Sequence, residues 1–305
     1  MPGWGDILRE IENTSSNFDL VRRKYLKNLS ELTNRNVIAY YSGWLQFPQG
    51  RGLDITDNDM NGFMETFRGL DRSKGLDLLI HTPGGDIAAT ESIVAYLQKM
   101  FNGDIRVIVP LLAMSAGTMI ACSASKILMG KESSLGPTDP QITIQTVTGI
   151  KSVPALALLD EFARAEKECK EDPHKLSFWH PILSQYHPGF IIILQNSVEL
   201  SKELTRAWLK NNMFRDDGDR DKIVDVIVSS LCNHKDTKAH GRHLPATKCK
   251  ELGLKIEMLE DNQALQDAVL SVHQAYIINL TSTSAIKIIE NHNGQAFMIQ
   301  ANKAT

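Results

Sequence analysis

At 305 residues, 42% apolar and 23% charged, the chain has the make-up of a globular enzyme with one large domain or one domain with appendages. A formal net charge of −3 leaves no basic field for nucleic acid or anionic lipid. No cationic apolar leader opens the sequence and its four cysteines form no CxxC pair, so reduced thiols and a cytoplasmic home are expected.

Residues 1–33 read as an N-terminal helical segment, with WGDILREIEN and FDLVRRKYLKNLSEL amphipathic at helical spacing. NVIAYYSGWL reads as a strand, and a helix is expected to start at Asp57 or Asn58. Then LDLLIHT, IRVIVPL and KILMG, each a continuous apolar run, alternate with helical patterns. That alternation predicts an α/β fold with a mainly parallel sheet buried on both faces, in a core spanning 34–260. Val107 to Ser125 carries no charge, but Pro110 and Gly117 interrupt it, which favours strand, turn and helix over a membrane span. Further helices are expected from SVPALALLDEF, from the residues after Pro188-Gly189, and from Asp221 to Leu231. FWHPILSQYHPG reads as a packed loop. Residues 261–305 read as an extension, a helix and then a β-hairpin around Asn293-Gly294.

Two turns carry the chemistry. Pro83-Gly84-Gly85 follows a buried strand, and paired glycines let backbone N–H groups turn outward while a ligand approaches closely. Such donors can hold the oxygen of a tetrahedral intermediate. Ser115 stands at the corresponding junction one βα unit later, its hydroxyl and the Ala116 N–H at a helix N-terminus. Small neighbours, Ala113, Ala116, Gly117 and Thr118, leave room for a substrate backbone. Adjacent parallel strands open at the same end, so the two turns should share one crevice. Each turn alone is an ordinary connection or cap; the pair points to a serine hydrolase.

HTPGG, VPLLAMSAGTMIACSASKILMGKESSLGPTDPQ and the opening WGDIL…VRRKYLKNLSELTNRNVIAYYSGWLQ resemble the serine dehydrogenase proteinase (SDH) family of Clp-fold serine proteinases. That family is related to the signal peptide peptidases and, more distantly, to the Clp and crotonase folds. The resemblance covers most of the chain. It implies stacked ββα units, Ser115 as nucleophile, an oxyanion hole from the N–H groups of Gly85 and Ala116 beside Gly84, and self-assembly into a homo-oligomer.

The base is less plain. Clp proteases carry a His some two dozen residues beyond the serine, where this chain has Asp139 in GPTDPQ. A carboxylate is a poor base for an alkoxide. Signal peptide peptidases use a Ser-Lys dyad, which makes Lys167 a candidate, with Lys151 and Lys202 as substitutes. Yet Lys167 shares its helix face with Asp160, Arg164 and Glu171, the mark of a solvated surface. His240 is the alternative base, although its loop reads as structural; His81 should satisfy backbone groups at a strand end. Cys232, His234, His240, His243 and Cys249 invite a zinc reading, but match no standard ligand spacing, so no metal or other cofactor is expected.

The reading is a serine endopeptidase acting on polypeptide substrates, bound by strand addition near Gly84 and Gly85, through an acyl-enzyme at Ser115. The alternatives are a catalytically silent polypeptide-binding assembly and a crotonase-like acyl-CoA enzyme.

Overall fold

A computed structural model describes residues 2–15, 17–146, 149–233 and 238–301. The continuous apolar runs form strands because each residue finds a core on whichever side it faces. β1 (Asn36–Ser42), β2 (Leu76–His81), β3 (Ile105–Val109), β5 (Lys126–Met129) and β10 (Ile256–Met258) lie parallel in one seven-stranded sheet. Its order is β10-β5-β3-β2-β1-β11-β12, closed on one side by an antiparallel pair, β11 (Ala285–Asn291) and β12 (Ala296–Gln300). The short strand β4 (Leu112–Ala113) lies outside it.

Alternation divides the strand residues between two layers. Leu76, Leu78 and Ile80 of β2 face a core completed by α3 (Asp59–Thr66), α4 (Ile87–Phe101), α5 (Ala116–Cys122) and α9 (Arg220–Cys232). Leu79 faces the other core with Val37, Ala39 and Tyr41, beneath α1 (Trp4–Asn13), α2 (Phe18–Thr33) and α11 (Gln263–Ser282). Helix ends follow local chemistry. Asp86 caps α4 by accepting from Ala89 N at 2.8 Å, and Asn102 ends it in the left-handed region at φ 50°.

Between β5 and α9 the chain leaves the sheet. β6 (Ser134–Leu135) leads to an antiparallel hairpin, β7 (Gln141–Thr146) and β8 (Gly149–Pro154), then α6 (Ala155–Glu171), α7 (Leu176–Leu183) and α8 (Phe190–Trp208). α6 and α8 share a small core of Ala155, Leu158, Phe190, Leu194 and Val198, against which Ile142, Ile144 and Val153 of the hairpin pack. Of the stretch FWHPILSQYHPG expected as a loop, the residues through Leu183 belong to helix α7, with Trp179 buried. After α9 come β9 (Leu244–Pro245) and α10 (Ala246–Glu251).

α1, α2 and α11 cover one face of the sheet, and β11 lies between β1 and β12. Buried Arg22 of α2 pairs with buried Glu290 of β11 and donates to Asn279 of α11 at 2.8 Å, while Tyr276 also donates to Glu290. Arg23 also reaches Glu290 at 2.8 Å and Asp19 reaches Arg22 at 3.0 Å, so the two buried charges sit in a network rather than in a single pair. The uncharged run from Val107 is strand β3, strand β4, a turn and α5; among the described residues no helix is long and apolar enough to cross a membrane.

Candidate active site

The two turns foreseen in the sequence are fastened to each other by backbone hydrogen bonds. Thr82 N donates to Leu112 O at 3.1 Å and Met114 N to Thr82 O at 3.0 Å, so the end of β2 pairs with β4. On its other flank the glycine turn pairs with Ile55: Ile55 N donates to Gly84 O at 2.8 Å and Asp86 N to Ile55 O at 2.9 Å. In that parallel pattern the bonds run through the groups flanking Gly85, so the Gly85 N–H faces away from Ile55. The Ala116 N–H opens α5 and has no intrahelical acceptor.

Glycine is required at both positions of the turn. A Cβ on Gly84 would lie 2.7 Å from Ser115 Cβ and 2.9 Å from Ala116 N, and one on Gly85 2.3 Å from Ile55 N. Ser115 itself adopts φ 50° and ψ −118°, a conformation that costs a non-glycine residue about 1–3 kcal/mol. The half-buried serine is held in this turn between β4 and α5, with no capping hydrogen bond from its side chain.

A three-stranded sheet, ordered β4-β6-β9, brings the remaining chemistry together. Ser115 follows β4 by two residues, Asp139 follows β6 by four, and His240 precedes β9 by four. Across that convergence His240 Nδ1 lies 2.9 Å from Oδ1 of Asp139, whose side chain is 1% exposed. Gln141 Nε2 donates to the other carboxylate oxygen at 2.9 Å. The loop carrying Asp139 is clamped on three sides. Gly136 N donates to Thr118 Oγ1 of α5, Ser201 Oγ of α8 to Thr138 O, and Thr138 N to Leu231 O of α9.

Ser115, Gly85 and His240 line one cleft of about 620 Å³. Ile87, Met119, Ile142 and Leu200 supply its apolar wall, and Thr143, Ser152 and Ser197 its polar one. The cysteines offer no rival nucleophile there: burial pushes the Cys249 thiol up to about 12 and also raises Cys122 and Cys232, keeping them protonated.

A family model described as ClpP-like SDH-type serine proteinase matches residues 10–172, over half of the chain. The chain belongs to this family. Two uncharacterized proteins of Methanocaldococcus jannaschii are relatives of this SDH-type chain. One is 38% identical over 128 residues, 40% of this chain and 44% of that protein. The other is 28% identical over 202 residues, 66% of this chain and 59% of that protein. The chain thus spans about half the length of these curated relatives. A solved structure, a membrane-bound stomatin-specific protease mutant, superposes with a TM-score of 0.38 and 17% identity over 70% of this chain and 79% of that one.

In this SDH-type chain the foreseen residues separate clearly. Gly84, Gly85, Ser115 and Ala116 come together, with His240 on the same cleft. Lys167 does not join them: its side chain is 75% exposed on α6 and paired with Glu171, outside the cleft lining. Neither Lys151, exposed on β8, nor Lys202, on α8, is in that lining. No lysine is among the described residues that line the Ser115 cleft. The buried His81 ring packs against Trp44, Tyr41 and His273. Of the residues in the zinc reading, His234 lies outside the described residues, and Cys232 is buried against Thr138 Oγ1 at 3.0 Å. Asp139, a poor base, is instead the partner of a histidine 101 residues away, a role at which only its position in GPTDPQ hints.

Proposed function

We propose that the protein is a serine peptidase in which Ser115 attacks a polypeptide carbonyl, His240 is the base and Asp139 orients it. The contact that carries this reading is His240 Nδ1 to the buried Asp139 carboxylate, 2.9 Å, on the cleft that Ser115 also lines. With Nδ1–H donated to Asp139, the imidazole keeps its other nitrogen, Nε2, as the basic one. Nε2 takes the Oγ proton as Oγ bonds to the carbonyl carbon. The oxygen that gains the electron pair is received by the N–H groups of Gly85 and Ala116. The imidazolium then protonates the amine as the C–N bond breaks, and water releases the acyl group from Ser115 by the same steps.

Polypeptide as substrate fits the apolar and hydroxyl-lined walls of the cleft. It also fits β7 and β8, which pair only with each other among the described residues and leave strand edges for an extended chain. Self-association is part of the proposal: Ile150, Phe178 and Ile192 are 70%, 65% and 60% exposed on the β7 to α8 module, an apolar surface suited to a second copy. Four free thiols suit a reducing compartment such as the cytoplasm.

A fluorophosphonate probe and labelled casein test the reading together. Ser115→Ala and His240→Ala should each lose labelling and hydrolysis by several orders of magnitude while folding normally, and Lys167→Ala should keep both. A folded wild-type protein that neither labels nor hydrolyses would instead favour the silent binding assembly. Acyl-CoA turnover without labelling would favour the crotonase-like enzyme.

A further inference from the structure

Lys287 of β11 is a fully buried cation, outside both the proposed catalytic residues and the matched span. Its Nζ donates to Asp59 Oδ1 at 2.8 Å and Oδ2 at 3.0 Å, and to the backbone oxygen of Asp54 at 2.7 Å. Asp59 also accepts from Tyr40 OH at 2.8 Å and Thr56 N at 3.1 Å, and Ser42 Oγ donates to Leu53 O at 2.8 Å. Residues 53–56 are thus pinned one after another, and Ile55 among them is the partner of the glycine turn.

From these contacts we infer that Lys287 is a positioning residue for the Gly85 N–H, acting through two successive peptide planes; this rests on the reading of that N–H as an oxyanion donor. In a trans peptide the C=O and N–H point in opposite directions. The first plane accepts from Lys287 at Asp54 O and donates from Ile55 N to Gly84 O at 2.8 Å. The second plane holds Gly84 O and, pointing the opposite way, the Gly85 N–H. Lys287 Nζ therefore sets the tilt of the first plane, and the first sets the tilt of the second. Hydrogen bonds in such a chain polarise one another in the same sense, which makes the terminal N–H a better donor, an effect that the Asp59 carboxylate moderates. The turn cannot slide to compensate, because Gly85 is packed directly against the Ile55 backbone.

The full chain carrying Lys287→Met is the test, with Lys287→Met/Asp59→Asn as the variant that leaves no buried charge unpaired. The readouts are the second-order rate of fluorophosphonate reaction at Ser115 and the kcat and KM for a p-nitrophenyl ester. Removing one oxyanion donor costs about 100- to 1,000-fold, so misaiming one should lower kcat and the labelling rate about 10- to 100-fold, with KM within about two-fold. A purely structural role would lower the melting temperature and leave kcat per folded molecule unchanged. Wild-type rates in either folded variant, or a rise in KM alone, would overturn the assignment; so would failure of both variants to fold, since the pair would then serve the fold as a whole. If wild-type protein does not label at Ser115, the peptidase reading fails and this inference with it. Normal wild-type labelling with unaffected variants removes this inference alone.

Discussion

Ser115 combines two demands that a structural serine would not need to meet. Its backbone sits at φ 50°, and its hydroxyl stands where the β4 end, the glycine turn and the His240 cleft meet. Backbone strain of this kind persists only where the surroundings enforce it. Glycine carries no Cβ and accepts positive φ freely. Ser115→Gly should therefore be inactive yet more stable than wild type by about 1 kcal/mol. Ser115→Ala, which keeps the Cβ, should be inactive without that gain. Urea midpoints of the three proteins measure the difference; a glycine variant no more stable than the alanine one would show the turn to be unstrained.

Where α11 meets the sheet, the contact contains two histidines that the fold holds neutral. His273 of α11 sits 3.3 Å from Tyr41 OH through Nδ1, with the His81 ring at 5.4 Å. Burial depresses His273 from 6.5 to about 4; burial first, and then the neighbouring His273, push His81 well below its usual value. The unfolded chain then binds more protons than the folded one between about 6.5 and 4, so stability rises with pH in that window. The contribution is fully present above 6.5 and is lost as the pH falls toward 4, about 3 kcal/mol for His273 alone. Thermal unfolding followed at pH 7 and pH 5 should show a lower midpoint at pH 5, and His273→Phe should shrink the difference. A midpoint independent of pH would mean that this contact does not bury its histidines.

The whole molecule leaves its β7 to α8 module with a small core and exposed apolar residues, while its sheet is closed at one side by its own C-terminal hairpin. The hairpin is fixed to β1 through β11, while its outer strand β12 ends the sheet. The module remains as the apolar surface. Light scattering at micromolar concentration should find an oligomer. Ile192→Glu combined with Ile150→Glu should reduce it to smaller species while leaving Ser115 labelling by the probe measurable. A wild-type monomer with full activity would refute the assembly.

The sequence alone determined the local features. Apolar runs too short for helices and bounded by glycines specified the buried strands. Asn293-Gly294 marked the hairpin turn, and Gly84-Gly85 with Ser115 marked the paired turns. These signals act within a few residues, so one strand or one turn is enough to display them. The β7–β8 hairpin escaped because its alternating residues are only partly buried and look like loop. What only the tertiary structure decided depends on distant segments meeting. Three two-residue strands gather Ser115, Asp139 and His240, and β11 brings Lys287 beneath the glycine turn. Lys167 shows the reverse: its distance along the chain suits a base, while α6 turns that face to water. Hydrogen bonding and burial depend on position in space, and a separation of 101 residues between a histidine and its carboxylate leaves no periodic trace in the chain.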